Sequence, residues 1–330
     1  MRDAPVLVTG GAGYIGTHVV LALTEADWPV VVLDDLSTGN RDALPANVPL
    51  IEGDIGDRRL LDDVLARFGC RAVLHFAGSI RVPESIARPL AYYRNNTVNS
   101  HTLIEACVAH GIDAFVFSST AAVYGTPAAN PVAEDAPLRP INPYGRSKLM
   151  VEEMLGDAAD AYGLRHVALR YFNVAGADAQ GRSGPARPSA THLLKVACEA
   201  ALGRRSEVPL FGEDYPTADG TCVRDFIHVS DLAAAHLAAL EHLLAGGQSR
   251  AFNCGYGRGY SVREVLDAVA RISGQALPIR PAGRRPGDAA EVVACAERIR
   301  AELGWRPRHD DLEQIVRDAL ALEHRLRDVP

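Results

Sequence analysis

Nowhere does an apolar run approach the roughly 20 residues a membrane-spanning helix needs, because Asp, Gly or His interrupts the longest aliphatic stretches. Cysteines are few and solitary. Cys70, Cys107, Cys198, Cys222, Cys254 and Cys295 form no C-x-x-C pair, which favours reduced, mostly buried thiols in a cytoplasmic protein. The 11 histidines contain no H-x-x-x-H, and no metal is expected. Positive charge is also short: a net charge of -7 leaves no basic face for nucleic acid or an anionic membrane. Nor is there a basic leader followed by a long apolar segment, since Met1 runs directly towards Val6-Leu7-Val8; export is not expected.

What the sequence does have is a globular composition, 48% hydrophobic and 23% charged over 330 residues. That length suits one large α/β domain or a nucleotide-binding domain with a smaller lobe. Apolar runs at Val6-Leu7-Val8, Val30 to Leu33, Ala72 to Phe76, Phe115-Val116-Phe117 and Val167-Ala168-Leu169 read as strands. Amphipathic windows at 14–26, 58–68, 97–110 and 144–162 lie between them. The alternation predicts a Rossmann-like, doubly wound parallel sheet with helices on both faces. From about residue 174 the texture shifts to Gly-, Pro- and Arg-rich loops, including Gly181 to Pro188 and Pro281 to Gly287. We therefore expect a nucleotide-binding domain over 1–173 and a smaller mixed lobe over 174–330. Residues 223–244, a strand from Val223 to Val229 and an apolar helix, are expected to return to the main sheet.

Gly10-Gly11-Ala12-Gly13-Tyr14-Ile15-Gly16 follows the first strand and opens a helix. Glycines here let backbone N–H groups approach a pyrophosphate at the positive helix end. Alone such a turn is weak evidence; its context adds to it. Asp34, eighteen residues past Gly16 and followed by Asp35, ends the second strand where a carboxylate accepts bonds from ribose hydroxyls. The same charge repels a 2′-phosphate, so the expected cofactor is NAD rather than NADP. Asp54 after the third apolar segment, and Phe76-Ala77-Gly78 after the fourth strand, fall at further strand ends. Those are the positions where open α/β sheets bind ligands.

Asn142-Pro143-Tyr144-Gly145-Arg146-Ser147-Lys148 opens another helix and sets Tyr144 and Lys148 at i, i+4 on one face. A phenol with a pKa near 10 is a poor base at neutral pH. An adjacent ammonium and a helix N-terminus lower it by about 1–3 units, which is the expectation here. Phe117-Ser118-Ser119-Thr120 lies twenty-four residues earlier, counted from Thr120 to Tyr144, at the end of the fifth strand. Thr120 there bridges a substrate hydroxyl and Tyr144. Y-x-x-x-K alone occurs by chance in many helices; the ordered combination points to hydride transfer with proton exchange.

This ordered set, with His75-Phe76-Ala77-Gly78, Tyr92 to Asn96, Arg170 to Gly176 and Asp219 to Asp225, resembles the extended short-chain dehydrogenase/reductase family. Within that family it resembles the UDP-glucose 4-epimerases over nearly the whole chain. The resemblance implies that bound NAD takes hydride from C4 of a UDP-hexose while Tyr144 takes the 4-hydroxyl proton. The 4-ketose then turns and hydride returns to its other face. The resemblance also implies cofactor contacts at Tyr14, Ile15, Asp35, Ser37, Ile55, Asn96, Ser118, Tyr171 and Phe172, with Lys148 on the nicotinamide ribose. The UDP-sugar falls to Asn173, His192, Leu193, Phe211, Arg224, Arg285, Asp288 and Val292. Arg224 and Arg285 suit phosphate because a guanidinium donates bidentate bonds. A homodimer packed through helices near 92–110 and 146–162 is implied as well.

The chain departs from the family pattern at several positions. Thr120 stands where many members carry Ser, Ile80 replaces a cofactor-contacting Lys, and His192 replaces an Asn. Val292 is smaller than the Tyr that some members have beside the sugar. Either it leaves room for an N-acetyl group, extending activity to UDP-GlcNAc and UDP-GalNAc, or it is simply packing. Ala121-Ala122 after Thr120 lack the acid a dehydratase uses, which disfavours elimination. Epimerisation of UDP-uronic acids or pentoses stays open, and a non-catalytic NAD sensor has no reason to keep Thr120, Tyr144 and Lys148 together.

Overall fold

Alternate residues of the first strand face two different helical layers, and the whole sheet follows that period of two. The computed structural model describes residues 4–185 and 192–327. The nucleotide half runs in order through β1 (Val6–Thr9), α1 (Tyr14–Glu25), β2 (Val30–Asp34), β3 (Leu50–Glu52), α2 (Arg58–Phe68) and β4 (Ala72–His75). It continues through α3 (Val82–Ala87), α4 (Pro89–Tyr92), a π-turn at Tyr93–Val98, α5 (Asn99–Ala109), β5 (Ala114–Thr120), α6 (Pro143–Tyr162) and β6 (His166–Tyr171). Val6, Val8, Val32, Leu74, Val116 and Leu169 pack beneath α1, while Leu7, Leu33, Val73, Phe115 and Phe117 pack beneath α2, α5 and α6.

The rest of the chain supplies β7 (Asn173–Ala175), α7 (Leu193–Ala201), β8 (Val208–Phe211), β9 (Val223–His228), α8 (Val229–Leu244) and β10 (Arg250–Cys254). It ends with β11 (Gly259–Ser261), α9 (Val262–Ser273), β12 (Ile279–Ala282), β13 (Glu291–Val292), α10 (Glu297–Glu302) and α11 (Leu312–Arg327). The main sheet has the order β10-β6-β5-β4-β1-β2-β3, parallel throughout. Its order reverses between β1 and β4, which opens a crevice at their carboxyl ends. There the Gly turn meets the backbone after β4: a Cβ at Gly10 would lie 2.5 Å from the Ala77 nitrogen, and one at Gly16 2.2 Å from the Gly10 oxygen.

One expectation needs correction. The strand beginning at Val223 does not return to the main sheet; β9 instead forms a separate sheet with β7, β11 and β13. The last main-sheet strand is β10, paired with β6. Its Arg250-Ala-Phe-Asn-Cys254 carries two polar residues and no β-branched one, so it reads weakly as a strand. Helix α8 does cover the main sheet, with Leu232, Ala235, Leu240 and Leu243 in the core under β1, β5 and β6. Of the loop at Gly181 to Pro188, residues 186–188 lie outside the described residues. No helix among the described residues is long and apolar enough to cross a membrane.

Two buried carboxylates tie the second sheet together. Asp225 accepts the backbone N–H groups of Tyr256 (2.9 Å), Gly257 (2.8 Å) and Ala294 (3.2 Å). Asp231, at the start of α8, accepts the Tyr256 hydroxyl (2.7 Å) and the N–H groups of Arg308 (2.9 Å) and His309 (2.8 Å). Burial pushes the Asp225 carboxyl above its ordinary pKa against the pull of its three amides.

Candidate active site

The cofactor cradle is preorganised by its own hydrogen bonds. Asp34 is buried; one oxygen accepts the Ala12 N–H of the Gly turn (2.9 Å) and the other the Leu36 N–H (2.8 Å). The carboxylate thus shapes the turn it faces and retains lone pairs for hydroxyl donors. Asp35 is exposed and accepts from the Ser37 backbone and hydroxyl (2.9 and 2.6 Å). Asp54 accepts from Gly56 N–H (2.7 Å) and Asn99 (2.9 Å), and Ile55 beside it enters the core. Tyr14 donates to the Gly176 carbonyl (2.6 Å), fastening α1 to the segment after β7, and Ile15 packs on the core of that layer. The Gly turn, Asp34 and the small residues after β4 leave backbone exposed where a dinucleotide needs close approach, so the residues present fit NAD.

The π-turn places a residue whose geometry periodicity could not show. Asn96 is buried; its carbonyl oxygen accepts Ser79 N–H (2.7 Å), while its amide donates to Ser79 O (2.9 Å) and Ser147 Oγ (3.0 Å). π-turns occur preferentially at functional sites because they re-aim side chains. Here the turn stitches the strand-end loop after β4 to α6. His75 joins the same scaffold through Thr9 (2.7 Å) and Ser100 (2.8 Å). Ser100 donates to Asn96 O (2.6 Å), so the imidazole gives its proton to Ser100 through Nε2 and accepts from Thr9. The Phe76 ring lies tilted against His236 at 4.7 Å, and His236 in turn bonds the Tyr171 hydroxyl (2.8 Å).

Helix α6 begins cleanly. Asn142 caps it by accepting Gly145 N–H (2.9 Å), and Pro143 fills its first turn. Gly145 is required for the approach to β5, since a Cβ there would lie 2.6 Å from Ala122 O. That approach sets the half-buried Tyr144 beside Thr120, whose hydroxyl favours the phenolate. Lys148 is 3% exposed, donates to Ser118 O (2.8 Å) and sits 4.8 Å from the Phe117 ring centre. A Cβ on Gly78 would come 3.7 Å from its ammonium, so the lysine lies where the cofactor must pass.

The electrostatics differ from the sequence-based expectation. Burial raises the Tyr144 phenol above its usual pKa, and the bond to Thr120 only partly offsets this. The same burial lowers Lys148 to about 8. Desolvation dominates because burial disfavours the charged form of both groups, the phenolate and the ammonium.

Of the residues expected to hold the UDP-sugar, Asn173 is exposed at the start of β7; Phe172 before it, expected at the cofactor, is buried against Val123 and Tyr124. Arg285 lies 5.2 Å over the half-exposed Phe211 ring and pairs with Asp288 (3.0 Å). Arg224 donates to the carbonyls of Val223 (2.8 Å) and Ala289 (2.7 Å), and its strand pairs it with Val292. His192 stands before α7, whose first residue is Leu193, with its ring 6.0 Å from Tyr14. Its Nδ1 is buried without a partner, and burial followed by the Lys195 and Arg81 charges lowers its pKa. Ile80 is 55% exposed.

Among the described residues His228, His309 and Asp318 bring three potential metal ligands within 4.8 Å. His228 Nδ1, however, accepts Ser230 N–H (3.1 Å), which leaves the ring proton on Nε2 facing Asp318 (3.1 Å). The cluster therefore works as a helix cap and tie.

The residues that periodicity missed are those that tie the segments around the expected site together: Ser79, Ser147, Glu152, Arg170 and Asn253. Glu152 had a legible signal, being four residues past Lys148 on the same helical face. Asn253 had none, because its partners come from distant segments.

Comparison with known proteins agrees with this geometry. The family model described as NAD dependent epimerase/dehydratase family matches residues 6–255. The UDP-glucose 4-epimerase of Azospirillum brasilense is 63% identical over 321 residues, covering 97% of this chain and 92% of that one. The crystal structure of UDP-glucose 4-epimerase from Brucella ovis in complex with NAD superposes with a TM-score of 0.93 at 43% identity, covering 97% of this chain and 98% of that one. The UDP-Glc/GlcNAc 4-epimerase of Campylobacter jejuni has a TM-score of 0.85 at 46% identity, covering 98% and 100%. With a strand-end cradle for NAD, a hydroxyl-bearing β5 and a Tyr-Lys pair on α6, this chain belongs to the NAD-dependent epimerase/dehydratase family.

Proposed function

We propose that the chain interconverts UDP-glucose and UDP-galactose by inverting C4 of the hexose, with Tyr144 as the proton acceptor and donor. The observation that carries the assignment is the placement of Tyr144 beside Thr120, with the buried Lys148 on the same face of α6 bonded to Ser118 O at the carboxyl end of the sheet. NAD, held by the Gly turn, Asp34 and the segment after β4, supplies the hydride acceptor and donor. The chain's own groups do the rest. Thr120 bridges the sugar hydroxyl to Tyr144, Tyr144 takes the proton as the 4-ketose forms, and it returns the proton when the opposite face is reduced. With NAD bound in this cradle, the positive charge of oxidised nicotinamide would favour the phenolate against the rise that burial causes. Lys148 adds to that field and holds the nicotinamide ribose.

On this reading residues 1–173 hold NAD and 174–330 hold the UDP-sugar. Arg285, Phe211 and Asp288 clasp the nucleotide, and Arg224 and His192 face the pyrophosphate. A grip on UDP alone leaves the sugar free to turn over between the two hydride transfers. Incubation with a panel of UDP-sugars, read by chromatography, tests the reading. Equilibration of glucose and galactose forms is expected; a dehydrated product, or no turnover on any sugar, overturns it.

A second substrate pair is favoured by Val292, a half-buried residue on β13 beside Arg224. A side chain of this size leaves space for an N-acetyl group, so UDP-GlcNAc and UDP-GalNAc are interconverted as well. Val292→Tyr should then lose the N-acetylated pair while keeping the glucose pair. Equal loss of both, or a wild-type enzyme confined to glucose and galactose, removes the wider pocket.

A homodimer is the assembly the surface supports. Val98 (43% exposed) in the π-turn and Met150 (40%) on α6 are large apolar side chains in the two segments expected to pair, and Leu90 (79%) on α4 lies just before the first of them. Sedimentation at twice the chain mass is the expected result. The free thiols Cys70, Cys107, Cys198, Cys222, Cys254 and Cys295 suit the cytoplasm.

A further inference from the structure

Tyr144, Lys148 and Glu152 form one stripe on α6, spaced four residues apart, and only the first two have a place in the chemistry. Glu152 accepts a hydrogen bond from Ser119 Oγ, and its two oxygens accept Arg170 Nε (3.1 and 3.2 Å) and Nη2 (2.6 Å). The Arg170 and Glu152 side chains are 5% and 9% exposed. Arg170 Nη1 donates onward to Tyr124 Oη (2.9 Å) and Glu134 O (3.1 Å), and Tyr124 donates to Asn253 Oδ1 (2.6 Å). Asn253 Nδ2 donates to Val132 O (2.7 Å) and Cys295 O (3.3 Å). Val132 and Cys295 belong to the ladder that carries Val292: Val132 N–H bonds Val293 O (2.7 Å) and Cys295 N–H bonds Val132 O (2.8 Å).

A buried ion pair of this kind seldom adds net stability over an apolar filling of the same shape, and what it fixes is geometry. The geometry fixed here is the end of β5. Ser118 and Thr120 face one side of the strand and Ser119 the other. The bond from Ser119 to Glu152 therefore ties the strand end to α6 about two turns beyond the point where Thr120 meets Tyr144.

We infer that Glu152 is a positioning residue for proton transfer: through Ser119 it sets Thr120 against Tyr144, and through Arg170 and Asn253 it registers both against the sugar-facing segment around Val292. The inference rests on the reading of Thr120 and Tyr144 as the proton-transfer pair. Misplacement by about 1 Å suffices for a hundredfold loss of rate, so such a clamp matters without touching substrate.

Ser119→Ala removes the bond at the strand end and leaves the Glu152–Arg170 pair intact. Lys148 and Tyr171, the titratable neighbours of Tyr144, are untouched. The expected result is a ten- to hundredfold fall in kcat, with KM for UDP-glucose within twofold and bound NAD unchanged. The limb of the kcat–pH profile that belongs to Tyr144 should move to higher pH, because a loosened Thr120 no longer lowers the phenol. Ser119→Thr should restore both. Glu152→Gln, which also strands Arg170, should show the same kcat and pH changes with a lower Tm. Unchanged kcat and pH limb in Ser119→Ala, whatever its Tm, overturns the proposal. Tyr144→Phe measured alongside separates the two readings: full turnover there defeats the proton-transfer assignment itself, whereas a dead Tyr144→Phe with a normal Ser119→Ala defeats only the positioning role.

Discussion

The two walls of the cleft are built differently. On the nucleotide side the groups proposed to act stand at parallel strand ends, in the π-turn or in the first two turns of α6, and buried bonds lock them: Asp34 to the Gly turn, Asn96 to Ser79 and Ser147, Lys148 to Ser118. On the lobe side the chain is tied at its base by Asp225 and Asp231, while the residues proposed to face the UDP-sugar are in the main partly exposed, as Arg285 is beside Asp288 and over Phe211. Hydride and proton transfer tolerate little displacement. Holding UDP while the sugar turns over requires some give. The contrast teaches that precision is concentrated where bonds change and relaxed where a handle is gripped.

The largest expected effect lies on the rigid wall. Tyr144→Phe should lower kcat by about a thousandfold or more, within the range general acid–base groups contribute, while the purified protein still carries NAD. Retained turnover there would erase the distinction between the walls.

Next comes the cost of that rigidity. Burial holds the Lys148 pKa near 8 in the fold, against about 10.4 for a free lysine. Between those values the unfolded chain binds more protons, so stability rises with pH across the window and the penalty is fully present below pH 8. Lys148→Met, stripped of cofactor and inactive, should therefore be more stable than wild type at pH 7 by on the order of 1–3 kcal/mol, with the gap closing as pH rises towards about 10.5. Denaturant titrations at several pH values would show it, and a gap independent of pH would mean the lysine is not destabilised by burial.

The smallest effect belongs to the yielding wall. Arg285→Ala should raise KM for UDP-glucose by about tenfold with kcat within a few fold, because a charge-assisted contact to the nucleotide is shared by ground and transition states. A fall in kcat as large as that of Tyr144→Phe would show that the grip also controls the chemistry.

The same division governs what could be read from the amino acids. The Gly turn, Asp34 and the Tyr144–Lys148 pair were legible because strand-end chemistry is local, set by residues a few positions apart. Strands β1, β2, β4, β5 and β6 were legible because strands buried on both faces are nearly continuous in apolar residues. The place of β9 was not, since Val223–His228 looks like a main-sheet strand and only its partners β7, β11 and β13 decide otherwise. Strand β10 carries Arg250 and Asn253, polar residues that gain their role through Glu302 and through Val132 and Cys295, none of them nearby in sequence. The phenol's direction of shift was also misjudged: spacing put Lys148 beside Tyr144, but spacing carries no measure of the water removed around both.

The central claim is that hydride leaves C4 and returns to C4 of the same sugar, and a label at that carbon tests it directly. UDP-glucose deuterated at C4 should give UDP-galactose with the deuterium still at C4, without added NADH and without exchange into solvent. Product that has lost the label to water, or that acquires hydrogen at C4 from added reduced cofactor, would contradict the account.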